Sequence, residues 1–175
     1  MNDKIEKYLN DEKYMDKLLS SCDQNNEIRN ISITLDGKPE AYARPRVVRG
    51  GHAYNPKAKQ MDETNKKLKK SLSTDDKNFI ENLLKDANAD YYVKISLDYY
   101  IPISKNSSIK DTILKEKGFI RPTTRPDIDN YDKFIIDTLH NVLFDDDKRI
   151  IDLHSKKYYS LTPRTEINAE IIWNK

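Results

Sequence analysis

Arg125-Pro126-Asp127-Ile128-Asp129-Asn130-Tyr131-Asp132-Lys133 is the stretch on which the reading of this chain turns. Pro126 fixes its own backbone and disfavours helix for Arg125, so the chain arrives extended. From Asp129 onward, Tyr131, Phe134, Ile135, Leu139 and Val142 recur at helical spacing, which predicts a helix from Asp129 to His140. Asp127 and Asp129 stand two apart, and in an extended segment both side chains point the same way. Lys133 follows Asp129 by one helical turn on the same face. Asp127, Asp129 and Lys133 are thus expected to converge at the helix start.

Two chemistries account for such a cluster. Aspartates at a helix N-terminus cap free amides and favour the helix dipole, typically by ~1 kcal/mol. Asp127, Asp129 and Asp132 together, however, repel one another and exceed what capping requires. A hard cation such as Mg²⁺ relieves that repulsion with oxygen ligands. Metal-bound carboxylates beside a lysine are what phosphodiester hydrolysis needs: the ion polarises the phosphate and activates water, and the ammonium balances developing charge. Asp132 directly precedes Lys133 and so faces elsewhere on the helix. A second acidic cluster, Asp145-Asp146-Asp147, is either a polar turn or a further ligand source. The helix carries the chain about 18 Å away. Residues 141 to 147, if extended, can return about 23 Å. A site within one subunit and a site completed by a second subunit both remain open.

Outward from this centre, strands flank the helix. Tyr91, Val93, Ile95, Leu97, Tyr99 and Ile101 alternate with Tyr92, Lys94, Ser96, Asp98 and Tyr100, and Pro102 ends the strand. Residues 149 to 160 read as another strand, closed by a turn at Thr162-Pro163. Ile167, Ala169, Ile171 and Trp173 mark a last half-buried one. The connection from 103 to 124 is long, with Ser108 placed to cap a short helix that Gly118 ends.

Towards the N-terminus, Ile31, Ile33 and Leu35 alternate with Ser32 and Thr34, a half-buried strand over 30 to 35. From Ala41 to Gln60 there is no acidic residue, while Arg44, Arg46, Arg49, His52, Lys57 and Lys59 accumulate beside Tyr42 and Tyr54. Arg49-Gly50-Gly51-His52 reads as the tip of a hairpin. Such a projection suits phosphate contact, because arginine grips a phosphate with two donors at once. A solvated hairpin is the alternative. Pro56 introduces a helix of about 15 residues bearing Met61, Leu68 and Leu72, and Thr74 is placed to cap a second one. Residues 2 to 22 carry Ile5, Tyr8, Leu9, Met15, Leu18, Leu19 and Cys22 near helical spacing, with a polar gap at 10 to 13. This segment is expected to pack as an appendage on the domain.

The chain has 175 residues, enough for one domain with a real core, and 34% of them are charged. Lys plus Arg number 31 against 29 Asp plus Glu, so the distribution of charge, not its sum, speaks about partners. Cys22 is the sole cysteine, which excludes an internal disulfide or a cysteine-based zinc site. No apolar run approaches the roughly 18 residues of a membrane span, and the charged N-terminus is unlike a secretory signal. No membrane partner and a cytoplasmic location are expected.

The residues resemble the RusA-type Holliday junction resolvases, endonucleases common in bacteriophages and prophages. The resemblance rests on Asp127-Ile-Asp129-Asn130 with Lys133, Asp137-Thr-Leu139, Asp146-Asp147-Lys-Arg-Ile150 and the run Tyr159-Ser-x-Thr-Pro-Arg164. Gly37-Lys-Pro39, Arg44-Pro45-Arg46 and Tyr54-Asn-Pro56 extend it into the N-terminal half. It runs from about Ile31 to Trp173, which divides the chain into a helical extension, 1–30, and an endonuclease domain, 31–175. The resemblance implies an α+β class, a mixed α/β fold with a small sheet and packed helices, assembled as a homodimer. It implies paired, Mg²⁺-dependent nicks in four-way DNA junctions during recombination and repair. The metal-binding acids fall on Asp127, Asp129 and Asp147, and the essential lysine on Lys133; Asp145 is extra, so Asp146 competes with Asp147. Arg44, Arg46, Arg49 and Lys57 become DNA contacts. A metal-dependent nuclease acting on other branched or single-stranded DNA, and a non-catalytic DNA-binding module, are the rival expectations.

Overall fold

The computed structural model describes residues 2–22, 26–47, 51, 53–86 and 88–174. The alternating segments form one four-stranded sheet from β1 (Asn26–Asp36), β4 (Tyr91–Pro102), β5 (Ile150–Ser160) and β6 (Arg164–Asn174), in the order β1-β6-β4-β5. β6 pairs antiparallel with both β1 and β4, with Ile33 opposite Ile167 and Leu97 opposite Ile167 across the two ladders. β4 and β5 run parallel, Leu97 beside Ser155, with a register shift between Val93 and Lys94. Parallel neighbours need a long crossover. Here it contains α5 (Ile109–Glu116) and α6 (Ile128–Leu139). Strands with helices gathered against the sheet make the α+β class expected from the resemblance.

Alternation fixes which face is covered. Tyr91, Val93, Ile95, Leu97 and Tyr99 of β4 are all buried, as are Ile167, Ala169 and Ile171 of β6 and Ile31 and Ile33 of β1. Against this face α6 sets Tyr131, Phe134, Ile135 and Leu139, and α3 (Ala58–Ser71) sets Leu68. Burying such side chains stabilises by roughly 1.5–3 kcal/mol each. α4 (Thr74–Lys85) adds Ile80 and Leu83 and is tied to β1 by the Arg29–Asp76 ion pair at 2.6 Å. Phe79 of this helix packs on Trp173 of β6, ring centroids 4.7 Å apart.

Several boundaries differ from expectation for local reasons. β1 begins at Asn26, because its polar first half pairs with Glu170–Asn174 of β6 where no apolar alternation marks it. Ser73, not Thr74, caps α4: its hydroxyl accepts from the Asp76 amide at 3.0 Å. Ser108 caps α5 as expected, and Gly118 ends it at φ 77°, a conformation that favours glycine. The basic segment folds as the expected hairpin, β2 (Arg46–Val47) against β3 (Ala53–Tyr54). Residues 48–50 and 52, including Arg49, lie outside the described residues, as does the break at 23–25.

The N-terminal segment splits at its polar gap into α1 (Asn2–Leu9) and α2 (Glu12–Cys22). Tyr8 and Tyr14 meet across the break, centroids 4.8 Å apart. The expected packing onto the domain is corrected here. Ile5, Tyr8, Leu9 and Tyr14 are all exposed, so their apolar surface is not taken up by the core. Among the described residues no helix is long and apolar enough to cross a membrane.

Candidate functional site

The loop entering α6 is held by β5. Lys157 donates to the carbonyls of Thr124 at 3.0 Å and Pro126 at 2.9 Å. On the opposite face of the strand, the neighbouring Tyr158 carries the Arg121 guanidinium 4.1 Å above its ring. Two adjacent β5 residues thereby fix both ends of the stretch that delivers Asp127. The Arg125–Pro126 peptide is cis.

Asp127 occupies the N-cap position of α6, with extended backbone (φ −72°, ψ 158°), yet its side chain makes no capping hydrogen bond. This weakens the capping explanation at the residue where it applied best. The expected extended pair of aspartates is corrected: α6 starts at Ile128, so Asp129 already lies in its first turn and only Asp127 is extended. Asp129 is exposed, with the Asn130 amide 3.3 Å from its carboxylate. Asp132 is engaged on the core side of the helix, where it accepts from the hydroxyl of fully buried Tyr99 at 2.9 Å. Burial and the Asp132 carboxylate push the Tyr99 hydroxyl far above its ordinary pKa, so it stays a donor.

Lys133 projects along the same helical stripe as Asp129. Its ammonium stands 4.0 Å from the Asp137 carboxylate, one turn further on, and 4.9 Å from the centre of the Tyr42 ring. Tyr42 belongs to the strand-like base of the basic hairpin, and its amide donates to the Asn130 carbonyl at 2.7 Å. The hairpin is therefore rooted on the first turn of α6. Beyond the root, Arg44 and Arg46 are exposed. Lys57 is not a free charge: Glu40 pairs with it at 2.6 Å.

The three consecutive aspartates behave differently from one another. Asp145 accepts from the Tyr91 hydroxyl at 2.5 Å and from Arg149 through Nε at 3.1 Å and Nη2 at 3.4 Å. The Arg149 and Tyr91 bonds hold its carboxyl down at about 2, while burial, reinforced by the Asp145 bond, pushes the Tyr91 hydroxyl up to about 12. Asp146 caps the short 3₁₀ turn Asp147–Arg149 by accepting from the Lys148 amide at 3.0 Å, which lowers its pKa. Asp147 lines a cavity of about 300 Å³ together with Ile136, Asp137, His140, Phe144 and Asp146.

This places Asp147 at the C-terminal end of α6, beside Asp137 and His140, and Asp127 at its N-terminal end. Residues 127 and 137 are ten apart, about 15 Å along a helix axis. The chain between α6 and Asp147 does not run extended. Val142, Leu143 and Phe144 are buried in a tight turn, with Asn141 at φ 58° and its amide bonded to the Phe144 carbonyl at 2.8 Å. Asp145 is then pinned to Tyr91, so the segment cannot extend. Among the described residues no three His, Cys, Asp or Glu side chains gather closely enough to hold a metal. In kind, the donors fit a hard divalent cation: Asp127, Asp129 and Asp147 offer only carboxylate oxygens, whereas Asp132 and Asp145 are engaged in structural bonds.

Tyr42, Asp137 and Lys157 join the site through structure. Asp137 was signalled by its i,i+4 spacing from Lys133. Lys157 and Tyr42 reach α6 only through tertiary packing and left no local trace in the sequence.

Asp127, Asp129 and Lys133 thus share the start of α6, and the basic hairpin is rooted on its first turn through Tyr42. The chain matches the model of the endodeoxyribonuclease RusA family over residues 36–170, and it belongs to that family. The uncharacterized protein YqaN of Bacillus subtilis (strain 168) is similar, 33% identical over 143 residues that cover 78% of this chain and 93% of the relative. Family membership places the chain among the endodeoxyribonucleases.

Proposed function

We propose that the chain is a structure-selective endodeoxyribonuclease that resolves four-way DNA junctions as a homodimer, in recombination and repair, in the cytoplasm of a bacterium or phage-infected cell. The observation that carries the reading is Asp127, extended at the N-cap of α6 without capping it, two residues ahead of the stripe that Asp129 and Lys133 share, in a chain of this family. Asp127, Asp129 and Asp147 would hold Mg²⁺. The ion, when bound, supplies polarisation of the scissile phosphate and a water acidic enough to attack it. Lys133 places an ammonium beside the reacting phosphate and balances charge that grows on its oxygens. One P–O bond breaks as water's oxygen forms another, with no covalent protein intermediate. Arg44, Arg46, Arg49 and Lys57 neutralise backbone phosphates, Lys57 after exchanging Glu40 for DNA.

A homodimer suits this chemistry, because a junction offers two equivalent strands and an isologous pair offers two equivalent sites. The nuclease domain in this reading is residues 31–175 together with the first half of β1, since Asn26–Asn30 pair with Glu170–Asn174 in the same sheet, and the extension is the helical segment before β1; the family match beginning at residue 36 supports an extension on that side of the domain. The test is Asp129→Asn. This variant is expected to bind a labelled four-way junction as the natural protein does and to leave it uncut; full cutting would remove Asp129 from the site.

A further inference from the structure

We infer that Tyr42 is a positioning residue for Lys133, through the face of its ring. The inference rests on the role given to Lys133 above and extends it to a residue outside the acidic motif. Three observations meet at this point. The Lys133 ammonium lies 4.9 Å from the Tyr42 ring centre, within the range where a cation is drawn to a ring's negative face. The Asp137 carboxylate stands 4.0 Å from the same ammonium. Tyr42 cannot drift from this place, because its amide is bonded to the Asn130 carbonyl at 2.7 Å and its side chain packs against the core.

The arrangement solves a problem peculiar to lysine. A four-carbon stem carrying a point charge samples many rotamers, and ordering it costs entropy unless neighbours hold the head. Asp137 alone would draw the ammonium along α6 towards the C-terminal end. Ring and carboxylate together hold it midway, over the turn that follows Asp129. The holder has a second consequence. Tyr42 is two residues from Arg44 in the arm that would grip DNA, so a phosphate bound to the arm and the ammonium over the ring are joined by one short segment, tied to α6 at Tyr42. Tyr42 thereby links substrate engagement to the placement of Lys133.

A ring that merely fills space and a ring that holds a cation respond differently to substitution. Tyr42→Phe keeps the face, whereas Tyr42→Leu keeps apolar bulk and loses it. In the free protein, the ε-methylene protons of Lys133 are expected to be shifted upfield by the Tyr42 ring current, as those of Lys115 over Tyr159 also are, relative to the lysines that meet no ring. That shift is retained in Y42F and lost in Y42L. In single-turnover cleavage of a four-way junction with Mg²⁺, Y42L is expected to be slowed at least fivefold with its junction Kd within twofold of the natural protein, and Y42F is expected to rescue the rate. Adding Y42L to Lys133→Met should slow cleavage no further. Equal rates in Y42L and Y42F, equal slowing in both, or an unshifted Lys133 signal in the natural protein would each overturn the inference. Unimpaired cleavage by K133M would instead overturn the role of Lys133 itself, which separates failure of the proposed site from failure of its holder.

Discussion

Replacing Asp145 by Asn tests the anchor of the acidic loop. The natural carboxylate takes one hydrogen bond from Tyr91 and two from Arg149, at 2.5, 3.1 and 3.4 Å. Asparagine keeps the shape but only one acceptor oxygen and no charge, so the Tyr91 bond becomes neutral, the Arg149 guanidinium loses its counter-charge, and an amide NH2 stands where a carboxylate oxygen accepted. A carboxyl held from its ordinary 3.8 down to about 2 corresponds to roughly 2.5 kcal/mol at full strength. With 44% of its side chain exposed, solvent screening reduces this to about 1 kcal/mol. Because the folded-state pKa is depressed, this stabilisation is fully present above the unfolded value of 3.8 and is lost as pH falls through about 2. Urea unfolding of D145N at pH 7 is therefore expected to show about 1 kcal/mol of destabilisation. The gap should close as both proteins are taken from pH 5 towards pH 2. A gap of the same size at pH 5 and pH 2, or none at pH 7, would refute the assignment of Asp145 as a charged anchor.

Three further outcomes follow from particular contacts. Lys157→Met frees the Thr124 and Pro126 carbonyls, so junction cleavage should fall about tenfold while junction binding stays within twofold; an unchanged rate would mean that the loop holds Asp127 without β5. Arg44→Ala with Arg46→Ala should weaken DNA binding and flatten the slope of log K against log salt by about 1.8, and an unchanged slope would return both arginines to plain solvation. Tyr99→Phe removes a buried donor to Asp132 and should cost about 1–2 kcal/mol in thermal or urea unfolding; no loss would show that the bond contributes nothing net.

Much of the framework was legible because one physical signal dominated each element. In β4, strict alternation from Tyr91 to Ile101 announced a strand with one covered face, and that face is buried at every second residue from Tyr91 to Tyr99 and half-buried at Ile101. The α6 stripe of Tyr131, Phe134, Ile135 and Leu139 needed nothing beyond helical spacing. The first half of β1 was illegible for the opposite reason. Glu27, Arg29 and Asn30 carry no apolar alternation, and the strand exists there because β6 offers a ladder.

The candidate residues were easier to name from the sequence than to place in space. Asp127, Asp129 and Lys133 share the start of one helix, so local spacing could bring them together. Asp147 depends on where Val142, Leu143 and Phe144 go, and chain reach alone could not foresee that they turn into the core. Nor could the sequence give three adjacent aspartates their separate roles. The partners Tyr91 and Arg149 for Asp145, and the cavity beside Asp137 for Asp147, arise from tertiary structure.

The most direct measurement incubates the purified protein with a labelled four-way junction and a matched linear duplex, with and without Mg²⁺, and maps the products on a sequencing gel. Symmetrical paired nicks in the junction alone, appearing only with Mg²⁺, are the predicted result. Binding of the junction without nicking under any metal condition, or equal cutting of the linear duplex, would contradict the assignment as a junction-resolving nuclease.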